Sequence, residues 1–122
     1  MKYLKQRWES LQFALQGISE VGRNEPNFKI HLFIGVLTIL LGFYFRISTI
    51  EWCLVLLCIF LVFAAEAFNS AIEYLTDLVS PEYHILAKKT KDAAAGAVLF
   101  IALGALLVGL ILFLPKFYFL FF

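Results

Sequence analysis

The sequence predicts an all-α membrane protein: three spanning helices preceded by an amphipathic helix on the bilayer surface. Three observations carry the prediction. Of 122 residues, 62% are hydrophobic and 16% are charged, where soluble domains run at about 45–50% and about 25%. The apolar residues are gathered into three runs, each close to the ~20 residues that cross a bilayer. Ahead of them, apolar and charged residues alternate with helical period. A chain of this length makes one domain at most. A net charge of +1, with no basic stripe interleaved with aromatics, gives no case for nucleic-acid binding.

The first element covers about residues 3–20. Leu4, Trp8, Leu11, Leu15 and Ile18 recur at i, i+4, i+7, i+11 and i+14, with Lys2, Lys5, Arg7, Glu9 and Glu20 mostly off that stripe. This predicts an amphipathic helix lying on the membrane, although a helix packed on a protein partner has similar requirements. Gly22, Asn24 and Pro26 interrupt the pattern and predict a turn. The first span follows over about 28–47. Residues 46–51 make a short polar connection, and Trp52 is placed as an interfacial anchor. The second span covers about 51–74, apolar first and then polar on one stripe. Ser80 and Pro81 mark a break, and a polar loop with a short helix is expected over about 80–91. The third span covers about 93–114, where an Ala-rich start, Gly104 and Gly109 suit close helix contacts. Pro115 and Lys116 are expected to end it, leaving an aromatic tail, 117–122, in the interface. The first apolar run begins near residue 30 and no small-residue cleavage site follows it, so no cleaved leader is expected. Cys53 and Cys58, five residues apart, point to different sides of a helix and match no metal motif; they read as small apolar fillers.

Basic residues set the expected orientation. Lys2, Lys5, Arg7, Arg23 and Lys29 precede the first span, and Lys88, Lys89 and Lys91 lie between the second and third. The other two ends carry only Arg46 and Lys116. The N-terminus and the 75–92 segment are therefore expected to share the cytoplasmic side.

Against this apolar background, Glu66, Asn69, Glu73, Asp77, Lys91 and Asp92 fall within 27 residues. The first four are spaced i, i+3, i+7 and i+11, which on a helix confines them to a stripe roughly 80° wide. Ionisable groups near bilayer depth are expensive and usually mark a functional site. Glu66 and Glu73 lie about 10 Å apart along a helix axis, too far to hold one small ion by themselves, so they suit different tasks at two depths. Glu66, nearer the apolar run, is partly desolvated and placed as a base. Glu73, closer to water, is placed to hold a hard divalent cation. Magnesium favours one or two carboxylates completed by phosphates and water, and Glu25, just before the first span, supplies a second acid on the same side. Lys91 offers a cation for phosphate and Asp92 a further acceptor. Carboxylates, one lysine and an amide, without a Ser–His–Asp set, suit phosphoryl transfer, which needs positioning and charge neutralisation. No Gly-rich phosphate loop is present. Blander readings exist for several of these. Asn69 suits an interhelical hydrogen bond equally well. Asp77 reads as a solvated helix end, His84 as a surface histidine and His31 as an interfacial residue. Lys88 and Lys89 serve topology.

Residues 66–98, EAFNSAIEYLTDLVSPEYHILAKKTKDAAAGAV, resemble the signature of the bacterial membrane-integrated diacylglycerol kinase family, which includes the undecaprenol kinases. The pattern is E-x-x-N-[ST]-A-I-E-x-x-x-D, then E-Y-H, then K-D followed by small residues. NEPNFKIH, residues 24–31, resembles the family's segment before its first span. The family's diacylglycerol branch tends to be acidic where His31 stands, and this wording is closer to the undecaprenol kinases. The resemblance implies a homotrimeric helical bundle of three-span subunits in the inner membrane, with sites at the cytoplasmic boundary that can draw on adjacent subunits. It implies transfer of the γ-phosphate of ATP to a lipid hydroxyl, of diacylglycerol or undecaprenol, with Mg2+. On the matching positions it implies Glu66 as general base and Asn69 orienting groups around it. Glu25 and Glu73 become the metal ligands holding the ATP phosphates, and Glu82, Tyr83, His84, Lys91 and Asp92 nucleotide contacts; Arg7 aligns loosely as a further phosphate contact. Two other classes compete. A non-catalytic membrane assembly subunit would use the acidic stripe to bind a partner helix, but has no need of Lys91, Asp92 and Glu25 on the same side. A cation-conducting oligomer would relay through Glu66, but the other acids sit at the aqueous edge rather than through the bilayer.

Overall fold

The computed structural model describes residues 1–122 and is all helical: α1 (Lys2–Asn24), α2 (Pro26–Tyr44), α3 (Thr49–Val79) and α4 (Ile85–Phe121). The last three are long and apolar enough to cross a membrane. In α1 only Val21 is buried, as suits a helix whose apolar stripe is left for a surface outside the chain.

Each break has a local cause. Pro26 disfavours helical backbone at the residue before it, and Glu25 is extended, with φ −95° and ψ 113°. Pro26 then opens α2 at the first helical position, where a missing N–H costs nothing. At the other end of α2, Arg46 takes φ 50° and turns the chain. Ser48 and Glu51 form a capping box on α3: the Glu51 N–H donates to Ser48 Oγ at 3.3 Å and the Ser48 N–H to Glu51 Oε2 at 2.7 Å. The α2–α3 hairpin is closed by an approach that only glycine permits. A Cβ on Gly42 would stand 2.8 Å from Trp52 Cη2 and 3.1 Å from Ile47 Cδ1.

Helix ends differ from the sequence expectation: α1 runs through Gly22 to Asn24, α3 continues to Val79, and α4 is longer at both ends. The polar segment after residue 84 is the first two turns or so of α4 itself, because nothing between Ile85 and the apolar run breaks a helix. His84 caps it, with Nδ1 accepting the Leu86 N–H at 3.1 Å. At its far end α4 passes through Pro115 to Phe121, despite the ~3 kcal/mol an interior proline costs. Residues on both sides of Pro115 are anchored: Phe113 and Phe117 pack on Phe45, with ring centroids 6.2 and 4.8 Å apart, and Lys116 Nζ reaches Glu51 Oε1 at 2.7 Å. Buried Ile47, Val55 and Phe113 form the core of this end.

At 1.5 Å per residue α3 is about 46 Å long, well over the ~30 Å of a bilayer's hydrocarbon. The Glu51–Lys116 pair marks one edge of the apolar layer. Glu66 then lies about 22 Å in, still inside it, and Glu73 about 33 Å in, at the opposite boundary.

Candidate active site

Burial falls steadily along the polar stripe of α3. Glu66 is 1% exposed and Asn69 8%; Glu73 is half-buried and Asp77 exposed. One helix face therefore carries carboxylates from the packed interior out to water.

Glu66 faces α2. His31 Nε2 stands 3.1 Å from Glu66 Oε1, within ion-pair range but outside hydrogen-bond geometry, so that Oε1 is a buried acceptor with no hydrogen bond. Neighbouring polar groups are directed elsewhere. The Ser70 hydroxyl, fully buried, donates to the Glu66 backbone carbonyl at 3.1 Å. The Asn69 amide donates to Glu73 Oε1 at 3.1 Å, and Asn69 Oδ1 is left buried and unpaired. Glu25, presented by the extended residue between α1 and α2, lies with Glu73 close enough for both charges to act on Glu66. Tyr74 lies in the field of Glu20, Glu25 and Glu73. Such a gathering of carboxylates at the edge of an apolar layer is unfavourable unless a cation joins it.

No three His, Cys, Asp or Glu side chains converge on one point. The donors offered are hard carboxylate oxygens, two at most for one ion, and Glu73 spends one of its oxygens on Asn69. That set fits magnesium, which completes its shell with phosphate oxygens and water, better than it fits metals that demand an all-protein cage.

The remaining sequence-selected residues lie one helical turn or more away. Lys91 is ion-paired with Asp77, linking α4 to α3, and Lys88 with Asp92 along α4. All four side chains are 38% exposed or more, so these pairs are weak and open to exchange. Glu82, Tyr83 and His84 are exposed in the connection between α3 and α4 and make no ion pair or side-chain hydrogen bond to the Glu66 group. His84 Nδ1 is committed to the α4 cap. Beside this connection Thr76, Ser80, His84 and Thr90 line a cleft of about 460 Å³. Arg7 lies over the Tyr3 ring on exposed α1.

His31 differs most from its sequence reading as an interfacial residue. No lysine or arginine enters the apolar part of α2 or α3, and the imidazole is the basic group that meets the buried acid. A signal was available in residue counts. His31 lies 13 residues before the end of α2 and Glu66 15 residues after Glu51, so both stand about 20 Å from the hairpin that joins the helices. His31 also lines an apolar groove of about 450 Å³ between α2, α3 and α4, walled by side chains such as Ile34, Val62, Phe63 and Leu106.

The family model described as prokaryotic diacylglycerol kinase matches residues 12–113. The chain belongs to the prokaryotic diacylglycerol kinase family. It is similar to an undecaprenol kinase from Bacillus subtilis, 41% identical over 93% of this chain and 92% of that one. A diacylglycerol kinase from Synechocystis is 40% identical over 87% of this chain and 61% of its own length. One from Haemophilus influenzae is 35% identical, over 77% and 79%. Membership in the diacylglycerol kinase family makes the protein a lipid kinase, and its three apolar helices make it a membrane protein.

Proposed function

We propose that the protein transfers the γ-phosphate of ATP to the hydroxyl of a membrane lipid, with Glu66 as general base. The observation that carries this reading is a carboxylate 1% exposed, inside the apolar layer, with a line of polar side chains leading from it to water. An alcohol anchored in the bilayer reaches such a base from the apolar side, and a nucleotide from the aqueous side. Glu66 takes the hydroxyl proton as the lipid oxygen forms its bond to the γ-phosphorus, and the bond from that phosphorus to the bridging oxygen of ADP breaks. Asn69 orients Glu73. Lys91, exchanging Asp77 for phosphate, neutralises developing charge, and Asp92, Glu82, Tyr83 and His84 line the nucleotide. Glu25 and Glu73 would hold Mg2+, which when bound neutralises charge on the phosphates.

Undecaprenol is the acceptor this reading favours over diacylglycerol, because the relative of that name is matched over nearly its whole length. The 122 residues act as a single lipid kinase domain in the bacterial inner membrane. The excess of Lys and Arg before α2 and around the start of α4 supports a cytoplasmic N-terminus. Only 14 of 122 residues are buried in the single chain, and two carboxylates are few for a complete site; both support a homotrimer with sites shared between neighbours.

The test is phosphorylation of undecaprenol and of diacylglycerol by purified protein in micelles with ATP and magnesium. Glu66→Gln, isosteric and unable to take the proton, is expected to lower turnover by about 10²- to 10⁴-fold with ATP binding retained. Near-normal turnover in that variant would remove Glu66 as the base, and failure to phosphorylate either lipid would remove the acceptor assignment.

A further inference from the structure

We propose that His31 is a positioning residue for phosphoryl transfer: its imidazole holds one oxygen of the Glu66 carboxylate and so turns the other toward the acceptor alcohol. The inference rests on the reading of Glu66 as base, and deepens it.

The Glu66 carboxylate has few side chains that can hold it. Ser70 is bonded to the Glu66 carbonyl and Asn69 to Glu73, which leaves His31 Nε2, 3.1 Å away, as the polar side chain that reaches the buried oxygen. A glutamate rotates about three bonds, and one without partners presents either oxygen in any direction. A base must present one lone pair to one proton, and small misplacements are costly. His31 is itself held. Phe28, His31 and Gly35 recur at i, i+3 and i+7 on the face of α2 that meets α3. One turn before His31, Phe28 stacks on Phe63 with ring centroids 4.8 Å apart. One turn after it, Gly35 lies against Ile59, 3.6 Å from where a Cβ would stand. The imidazole thus sits between two fixed contacts, and its depth in the membrane is set by the hairpin rather than by its own side chain.

His31 also belongs to the wall of the apolar groove. Its polar companions there are Thr38 and Cys58. Thr38 spends its hydroxyl on the Ile34 carbonyl at 2.8 Å, and a thiol is a weak hydrogen-bonding group. His31 is therefore the strong polar group joining the groove to the buried acid, at the place where an alcohol on an apolar chain would meet its base.

The experiment compares His31→Leu and His31→Gln in the full-length protein, in micelles, varying the lipid and ATP separately. Glutamine carries an N–H donor at a reach similar to Nε2, whereas leucine fills the space without one. His31→Leu is expected to lower kcat about 10- to 100-fold, the scale of displacing a reacting group by up to about 1 Å, with KM for ATP within about twofold. His31→Gln is expected to return most of the lost kcat. Packing alone would reverse this order, since leucine packs at least as well as glutamine beside the groove. Unchanged kcat in the leucine variant, or a folded glutamine variant as slow as it, would overturn the inference. Should the leucine variant not fold, His31→Asn replaces it: one methylene shorter, it falls short of Glu66 and is expected to be slow where His31→Gln is fast, and equal rates would overturn the inference. The two proposals fail separately. If Glu66→Gln abolishes turnover while His31→Leu is unaffected, only the role of His31 is lost; if Glu66→Gln is active, the base itself is misassigned.

Discussion

Replacing Asn69 by aspartate changes no volume and inverts one interaction. In the native chain the Asn69 amide donates to Glu73 Oε1 at 3.1 Å. In Asn69→Asp that donor becomes a second anionic oxygen at the same separation. Two unit charges 3.1 Å apart repel by about 5 kcal/mol at an effective dielectric constant of about 20, and by about 3 kcal/mol at twice that value. The half-buried position of Glu73 places the cost between those figures. Truncation at the same site is milder. Asn69→Ala loses a hydrogen bond to a charged group, a cost of about 1.5–3 kcal/mol, but also removes the buried and unpaired Oδ1, a relief of about 1–3 kcal/mol. The alanine variant is thus expected within about 1 kcal/mol of wild type, and the isosteric aspartate about 3–5 kcal/mol below it. Unfolding in mixed micelles, followed through Trp8 and Trp52 fluorescence or circular dichroism in metal-free buffer, reads the order directly. An aspartate variant as stable as the alanine variant would refute the donor–acceptor contact between residues 69 and 73.

Glu73→Gln keeps an oxygen for the Asn69 amide but offers no charge to a cation, so its half-saturating magnesium concentration is expected to rise at least ~10-fold; an unchanged titration of activity would exclude it as a ligand. Gly42→Ala places a Cβ 2.8 Å from Trp52 and is expected to destabilise by about 1–3 kcal/mol, whereas Gly35→Ala, with Ile59 at 3.6 Å, is expected to be tolerated in the same unfolding assay. Lys91→Met breaks an exposed pair with Asp77 worth about 1 kcal/mol or less. A fall in turnover of ~100-fold or more without matching loss of stability would identify Lys91 with phosphate, and full activity would leave it only a structural pairing.

The membrane class and the existence of each helix are legible in the chain because both follow from local pattern. Apolar runs of spanning length and a 3.6-residue period need no tertiary information. Helix ends are less legible because packing overrides local preference. Pro115 reads as a stop, yet Phe113, Phe117 and Lys116 are tied to Phe45 and Glu51, and these contacts carry the helix past it. The break at Pro26 needs no such help, since the proline itself excludes helical backbone at Glu25.

The placement of Glu66, Asn69, Glu73 and Asp77 on one face was determined by their spacing alone, because a helix converts sequence separation into angle. Order of depth follows in the same way, from 1.5 Å of rise per residue. Partners were decided only by tertiary structure. Helical geometry does not state which face of α2 meets α3, so the approach of His31 to Glu66 could not be read from either segment by itself. It depends on Gly42 admitting Trp52 and on Phe28 stacking against Phe63, contacts that fix the register between two helices. The same holds for Lys91, whose tie to Asp77 rather than to its neighbour Asp92 depends on how the 80–84 connection folds α4 back on α3.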